Sequence, residues 1–283
     1  MDQVGVVGGG TMGAGIAEVC ARAGVDVVLV EANPAGVDRC RSRLESSMQR
    51  AVRAGRLPSE QADAALARIT VLADLEGASD ADLVIEAIPE VESLKLDLFR
   101  RLDALVKPDA ILASNTSSIP LVKIASSTDR PERVVGVHFF NPVPVLPLVE
   151  IVGSLLTSDE TLSAVTDFTE ERLGKTTIRS RDRAGFIVNA LLVPYLLSAI
   201  RMLESGFATA EDIDAGMVQG CAHPLGPLAL ADLIGLDTTA AIADSMYHEF
   251  KEPLYAPPPL LLRMVEAGLL GRKTGRGFFP HAN

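Results

Sequence analysis

Near its start the chain reads VGVVGGGTMG, placing Gly8-x-Gly10-x-x-Gly13 between an apolar, β-branched run and a segment of helical periodicity. A strand that turns on glycine into a helix admits few folds. The three glycines allow a tight turn, close approach of backbone to a pyrophosphate, and close packing of helix on strand. The helix N-terminus then offers its free N–H groups and positive dipole end to the anion. Gly8, Gly10 and Gly13, with Thr11 and Met12 inside the turn, are therefore expected to cradle a dinucleotide. Glu31 closes the next strand-like run at about the 20-residue spacing where such a site keeps a carboxylate. That group accepts hydrogen bonds from the adenosine ribose hydroxyls and repels a 2′-phosphate, so the expected cofactor is NAD rather than NADP.

The pattern around this turn repeats. Val4–Val7, Val25–Val30, Asp82–Ile88, Ala110–Ala113 and Val134–Val137 are short apolar runs that read as buried parallel strands. Thr11–Ala23, Pro34–Arg56 and Val91–Val106 between them have helical periodicity. This alternation predicts a doubly wound, Rossmann-type α/β sheet. Val143–Val152 returns to strand character, Ser158–Leu173 looks helical and Thr176–Ile178 extended. After Arg183 the pattern changes to helices alone: Phe186–Leu203, apolar nearly all round, then Glu211–Val218 and Thr238–Phe250. A boundary near Asp182–Gly185 divides residues 1–184, the dinucleotide-binding domain, from residues 185–283, an all-helical C-terminal domain. Pairing of two copies through that first helix would cover its apolar surface.

Composition removes other classes. The formal net charge of −11 and the 4% aromatic content without Trp disfavour nucleic acid as a partner. The apolar run Ala190–Ile200 contains Pro194 and falls well short of the roughly 20 residues a membrane span needs. Met1-Asp2-Gln3 lacks the basic start of a secretory signal. Cys20, Cys40 and Cys221 are an odd number at wide spacing, which predicts neither a disulfide framework nor a metal site and suits a reducing cytoplasm.

Further motifs run the length of the chain: IEAIPE (Ile85–Glu90), SNTSS (Ser114–Ser118), HFFNPVPV (His138–Val145), PLVEIV (Pro147–Val152), GFIVNALLVPYL (Gly185–Leu196), HPLGPLALADLIGLD (His223–Asp237) and GRKTGRGFF (Gly271–Phe279). In this order they resemble the L-3-hydroxyacyl-CoA dehydrogenase family, particularly its bacterial 3-hydroxybutyryl-CoA members. The resemblance implies reversible oxidation of an (S)-3-hydroxyacyl-CoA to the 3-ketoacyl-CoA with NAD, in a cleft between a Rossmann domain and a helical dimerisation domain.

The residue chemistry agrees with what the resemblance implies. Taking hydride from a secondary alcohol needs a base for the hydroxyl proton, and His suits that work near neutral pH. His138 follows a buried strand, at whose carboxyl end ligands bind in this architecture, and Glu150 on the next strand-like run is available to set its tautomer. The C3 oxygen changes charge during transfer and needs preorganised donors; by resemblance these are Ser117 and Asn189. The resemblance also assigns Asn115, Ser117 and Asn141 to the cofactor side, Glu90 and Lys95 to the nicotinamide ribose, and Lys273 to a C-terminal cofactor contact. Departures from the family pattern are Gly9 where Ala or Ser is usual, Glu31 for Asp, Ala190 for Arg, Ala222 for Asn, and Phe279 for Tyr.

Six arginines lie between Arg39 and Arg56, and on a helix Arg39, Arg43, Arg50 and Arg53 share one face. They read either as a solvated face, partly balanced by Asp38 and Glu45, or as a site for the phosphates of coenzyme A. The resemblance favours CoA contact and adds Ser47 to Arg50 and Arg53 as substrate-binding residues. Two alternatives stay open: a hydroxyacyl group carried on a carrier protein, and a non-catalytic relative that kept the fold.

Overall fold

Hydrophobic periodicity and turn chemistry account for most of the first unit, Met1–Arg183. The computed structural model describes residues 1–281. Its element order is β1 (Gln3–Val7), α1 (Thr11–Arg22), β2 (Asp26–Val30), α2 (Pro34–Arg53), α3 (Ser59–Ala67), β3 (Ile69–Leu72), β4 (Leu83–Glu86), α4 (Glu92–Leu105), β5 (Ile111–Ser114), α5 (Leu121–Ala125), β6 (Val134–Phe139), β7 (Leu148–Gly153), α6 (Asp159–Asp167) and β8 (Thr176–Arg181). The strands form one sheet in the order β3-β2-β1-β4-β5-β6-β7-β8. β1 to β6 run parallel, β7 reverses against β6, and β8 runs parallel to β7. Central strands such as β4 and β6 are buried along their whole length, which is why they read as unbroken apolar runs.

Several bounds differ from the sequence reading: the strand expected over Val143–Val152 begins at Leu148, and the helix expected over Ser158–Leu173 is α-helical over Asp159–Asp167 and widens to a π-turn over Phe168–Arg172. The helix expected over Pro34–Arg56 ends at Arg53, and the chain reverses at Gly55 (φ 66°) into α3. α3 and β3 went unread because neither carries a strong pattern: β3 buries only Val71 fully. β8 runs three residues past Ile178, and its half-exposed TTIRSR lacks the apolar run of a central strand.

Asn33 caps α2, its side chain accepting from Gly36 N at 2.9 Å, with Pro34 in the first turn. α1 has no such cap. Gly10 precedes it without a side-chain hydrogen bond, so the first N–H groups of α1 are left without a side-chain acceptor.

The second unit begins at Ala184 and contains α7 (Val188–Glu204), α8 (Ala210–Cys221), α9 (Pro227–Ile234), α10 (Leu236–Phe250) and α11 (Pro259–Glu266). α7 packs Val193, Leu196, Leu197 and Ile200 into a core shared with Leu228, Leu236 and Met246. Two buried carboxylates organise it. Asp214 accepts the Leu228 and Ala229 N–H groups at the start of α9 (2.8 and 2.9 Å). Asp232 accepts the Phe278 and Phe279 N–H groups and contacts His281 Nε2 at 2.8 Å, tying the last turn of chain to α9.

Ala222 closes α8 in the left-handed region (φ 55°, ψ 31°). An L-residue with a Cβ costs about 1 kcal/mol there, and Asn or Gly tolerates it better. Ala222→Asn is therefore expected to stabilise the protein by about 0.5–1 kcal/mol and raise Tm by about 2 °C. An unchanged or lower melting temperature would refute this account of the cap.

Candidate active site

The glycine turn has the shape an approaching anion requires. Gly8 has φ 100°, and a Cβ on it would lie 2.7 Å from the Ala87 carbonyl oxygen. A Cβ on Gly13 would fall inside the Gly8 carbonyl, whereas the space around Gly10 is open. The turn is thus packed against protein on two glycines and open on the third, directly before the uncapped N-terminus of α1. Glu31 follows β2 and accepts the Gly9 N–H at 2.9 Å and the Ala32 N–H at 3.2 Å. Its carboxylate stands beside the turn, where the sequence placed it. Thr11 is exposed and Met12 half-buried.

Beyond β4 lies a clamp of charges. Lys95, only 1% exposed, places Nζ 2.9 Å from Glu86 Oε1 and 2.8 Å from Glu90 Oε2. Glu86 also accepts from Ser114 Oγ (2.6 Å) and the Ile88 N–H (2.7 Å). Burial pushes the Glu86 carboxyl above its ordinary value despite the opposing charge and hydrogen bonds of Lys95. For Glu90, burial is outweighed by the Lys95 charge and by hydrogen bonds from Lys95, Thr116 and Ser118, which hold it below the usual range. Glu90 Oε1 accepts the Ser117 N–H at 3.0 Å and the Ser118 N–H at 3.2 Å. The resemblance implied that Lys95 meets a ribose; here its ammonium is sequestered, and its visible task is to hold Glu90 against the Ser117 turn. Glu86, inside the IEAIPE motif, received no role from sequence. An acid at the end of an apolar run, nine residues before a lysine, was the available signal.

Asn115 is also partly engaged, its Oδ1 accepting the Phe139 N–H at 2.9 Å. That bond ties the end of β5 to the end of β6. Ser117 is half-buried, with its hydroxyl outside these bonds, and Asn141 is exposed past the end of β6.

His138 does not follow β6 but lies within it, because pairing with β7 continues to Phe139↔Val149. The antiparallel register sets His138 directly opposite Glu150. Cross-strand partners on one face stand about 4.5–5.5 Å apart at Cβ, and here Nδ1 lies 2.7 Å from Glu150 Oε2. Both side chains are buried, at 8% and 0% exposure. Opposite a carboxylate, an imidazole with its proton on Nδ1 has Nε2 as its basic nitrogen. The Phe140 ring meets the imidazole edge-on at 4.6 Å. The pair can accept a proton at Nε2 and stabilise the resulting positive charge.

On α2, Arg50 and Arg53 are exposed and Ser47 is half-buried. Arg43 leaves this group: its guanidinium bonds the Gly9 carbonyl at 2.6 Å. Arg41 likewise bonds the Val71 carbonyl. Asp38 and Glu45 form no ion pair with these arginines among the described residues.

In the second unit, Asn189 is 7% exposed in the first turn of α7. Lys273 is paired with Asp237 at 2.5 Å. Among the described residues no group of three or more His, Cys, Asp or Glu side chains could hold a metal ion, and no helix is long and apolar enough to cross a membrane. The open Gly10, the uncapped α1 and the Glu31 carboxylate fit a dinucleotide with free ribose hydroxyls.

Comparison with known proteins points the same way. Residues 3–183 match the family described as 3-hydroxyacyl-CoA dehydrogenase, NAD binding domain, and residues 185–281 match its C-terminal domain. The chain is 56% identical over 282 residues to a 3-hydroxybutyryl-CoA dehydrogenase of Mycobacterium tuberculosis, covering 99% of each. It is 42% identical over 287 residues to the human mitochondrial hydroxyacyl-coenzyme A dehydrogenase, covering 99% of this chain and 91% of that one. It is also similar to the crystal structure of an (S)-3-hydroxybutyryl-CoA dehydrogenase from Ralstonia eutropha, with TM-score 0.93, 44% identity and 100% of each chain covered.

Proposed function

The chain belongs to the 3-hydroxyacyl-CoA dehydrogenase family, NAD-dependent oxidoreductases of hydroxyacyl-CoA thioesters, and from that premise we propose that His138 and Glu150 form its proton-transfer pair. The observation that carries the proposal is the buried 2.7 Å contact between them across β6 and β7. Bound NAD⁺ supplies the acceptor for the hydride that leaves C3 of the substrate. As that C–H bond breaks, the C3 hydroxyl gives its proton to His138 Nε2, and the C–O bond becomes the ketone carbonyl. Glu150 keeps the imidazole in the tautomer that can accept and offsets the charge it gains. In reduction, the same nitrogen returns the proton to the C3 oxygen.

Ser117 is proposed to donate to that oxygen through its hydroxyl. Asn189 is proposed as a second donor on the strength of the family resemblance. Gly8, Gly10, Thr11, Met12 and Gly13 would hold the pyrophosphate and Glu31 the adenosine ribose. Glu90, held by Lys95, would meet the nicotinamide ribose, with Asn115, Ser117, Asn141 and Lys273 as further cofactor contacts. The substrate is proposed to be a short thioester, 3-hydroxybutyryl-CoA, after the relatives' names. Initial rates of NADH oxidation on C4 to C16 3-ketoacyl-CoA substrates test this. A maximum at C4 is expected, and no activity on any of them would overturn the reading.

Ser47, Arg50 and Arg53 are proposed to bind CoA phosphates. Neutralising Arg50 and Arg53 together is expected to raise KM for the thioester by about tenfold with little change in kcat, since distant phosphates are held alike in ground and transition states. The effect should shrink with salt. An unchanged KM returns the helix to a solvated face, and faster turnover of a carrier-bound analogue than of the CoA thioester would favour the carrier reading.

A homodimer through the helical unit is proposed from Leu191 and Phe207, which are 73% and 80% exposed. Light scattering giving a fully active monomer would refute it. A reducing cytoplasm is proposed from the three free thiols, two of them buried.

A further inference from the structure

Arg43 and Glu31 bond the two backbone polar groups of the same residue, Gly9. Glu31 Oε1 accepts the Gly9 N–H at 2.9 Å, while Arg43 Nη1 donates to the Gly9 carbonyl at 2.6 Å. Arg43 is exposed, and its guanidinium uses one of its five N–H donors in that bond. Neither Arg43 nor Glu31 belongs to an ion pair among the described residues. Burial pushes the Cys40 thiol, which packs against Gly9, up to about 11, with the Glu31 charge adding to the rise and the charges of Arg43 and Arg41 opposing it. A Cβ on Gly9 would lie 2.5 Å from the Cys40 sulfur and 2.7 Å from Glu31 Oε1. Both charged side chains therefore bond a glycine whose position has no space for a side chain.

A ribose bound against Glu31 offers its 2′-oxygen to this neighbourhood. A carboxylate there favours hydroxyls, while a guanidinium with donors to spare favours a phosphate. We propose that Arg43 is a built-in partner for a 2′-phosphate, overruled in the native protein by Glu31, so that cofactor choice is set by the opposition of these two side chains at Gly9. The alternative is that Arg43 only braces the glycine turn through the Gly9 carbonyl. In that case it would support NADH and NADPH alike and have no influence on the choice between them.

The inference concerns the dinucleotide alone, and its test needs no acyl-CoA. Titration of the purified protein with NADH and with NADPH, followed by nucleotide fluorescence, gives two dissociation constants and their ratio. Glu31→Ser is expected to shift that ratio toward NADPH by about 10- to 100-fold, the scale of removing one charge repulsion and releasing a charge-assisted hydrogen bond. Adding Arg43→Gln to Glu31→Ser should return most of the shift. Competition by 2′,5′-ADP against 5′-ADP should follow the same order, and the gain should weaken with salt. An NADPH-to-NADH ratio that is the same in Glu31→Ser and in the double variant would overturn the proposal. Should Glu31→Ser fail to fold, Glu31→Gln keeps the Gly9 hydrogen bond without the charge and serves the same comparison. Loss of dehydrogenase activity on every acyl-CoA would leave these binding ratios standing, so the two readings fail separately.

Discussion

His138→Gln is expected to lower kcat by about 10²–10⁴, the scale of general acid–base catalysis, while KM for the acyl-CoA moves little. The imidazole Nε2 is the group assigned to the hydroxyl proton, and glutamine offers no base of comparable strength. Glu150→Gln keeps the shape of its side chain but removes the charge that offsets the imidazolium, so it too should lower kcat, by less. Because the two side chains touch at 2.7 Å and act as one unit, the double variant should be little slower than His138→Gln alone. Losses that multiply across the cycle would show that Glu150 works elsewhere. A large rise in KM with kcat unchanged would show that His138 binds rather than reacts.

Lys95→Met is expected to destabilise the protein by about 3–5 kcal/mol, the cost of removing one partner from a buried ion pair. Glu86 would then be left at 0% exposure with Ser114 and the Ile88 N–H but no cation. Burial already holds the Glu86 carboxyl above its ordinary value. A carboxyl so raised takes up a proton more readily when folded, so its contribution is favourable in acid and is lost as pH rises through the raised value. The Lys95→Met defect should accordingly be mildest in acid buffer and largest near neutrality. Adding Glu86→Gln should recover part of the loss, because the stranded charge is gone. Urea unfolding across pH measures the wild type and both variants. A cost of less than about 1 kcal/mol at neutral pH, below the range for a broken buried pair, would mean that the clamp does not hold this part of the fold. Activity supplies a second readout, since Glu90 and the Ser117 turn depend on Lys95 for their placement.

The parts of this protein legible in its sequence are those governed by neighbours along the chain. A glycine turn needs its glycines within a few residues, so Gly8, Gly10 and Gly13 announce themselves, and the carboxylate of Glu31 follows at the spacing a strand–helix–strand unit imposes. Buried central strands advertise themselves as apolar runs. Edge elements do not: β3 and the end of β8 carry exposed residues that blur the signal. Ala222 was visible only as a departure from the family pattern; its left-handed backbone, a conformation that Asn tolerates better, came with the structure.

What the tertiary structure alone decided is pairing. His138 and Glu150 could be nominated separately, but the direction of β7 is not written in its residues, because strand pairing is a property of two segments brought together. Its reversal against β6 sets the two side chains opposite each other, and a slip of one residue would turn Glu150 to the other face of the sheet. The same limit hid the Lys95 clamp and the departure of Arg43 from its helical neighbours. Periodicity assigns a side chain to a face of its helix; whether it ends in solvent, on a carboxylate or on the Gly9 carbonyl depends on which distant backbone arrives there.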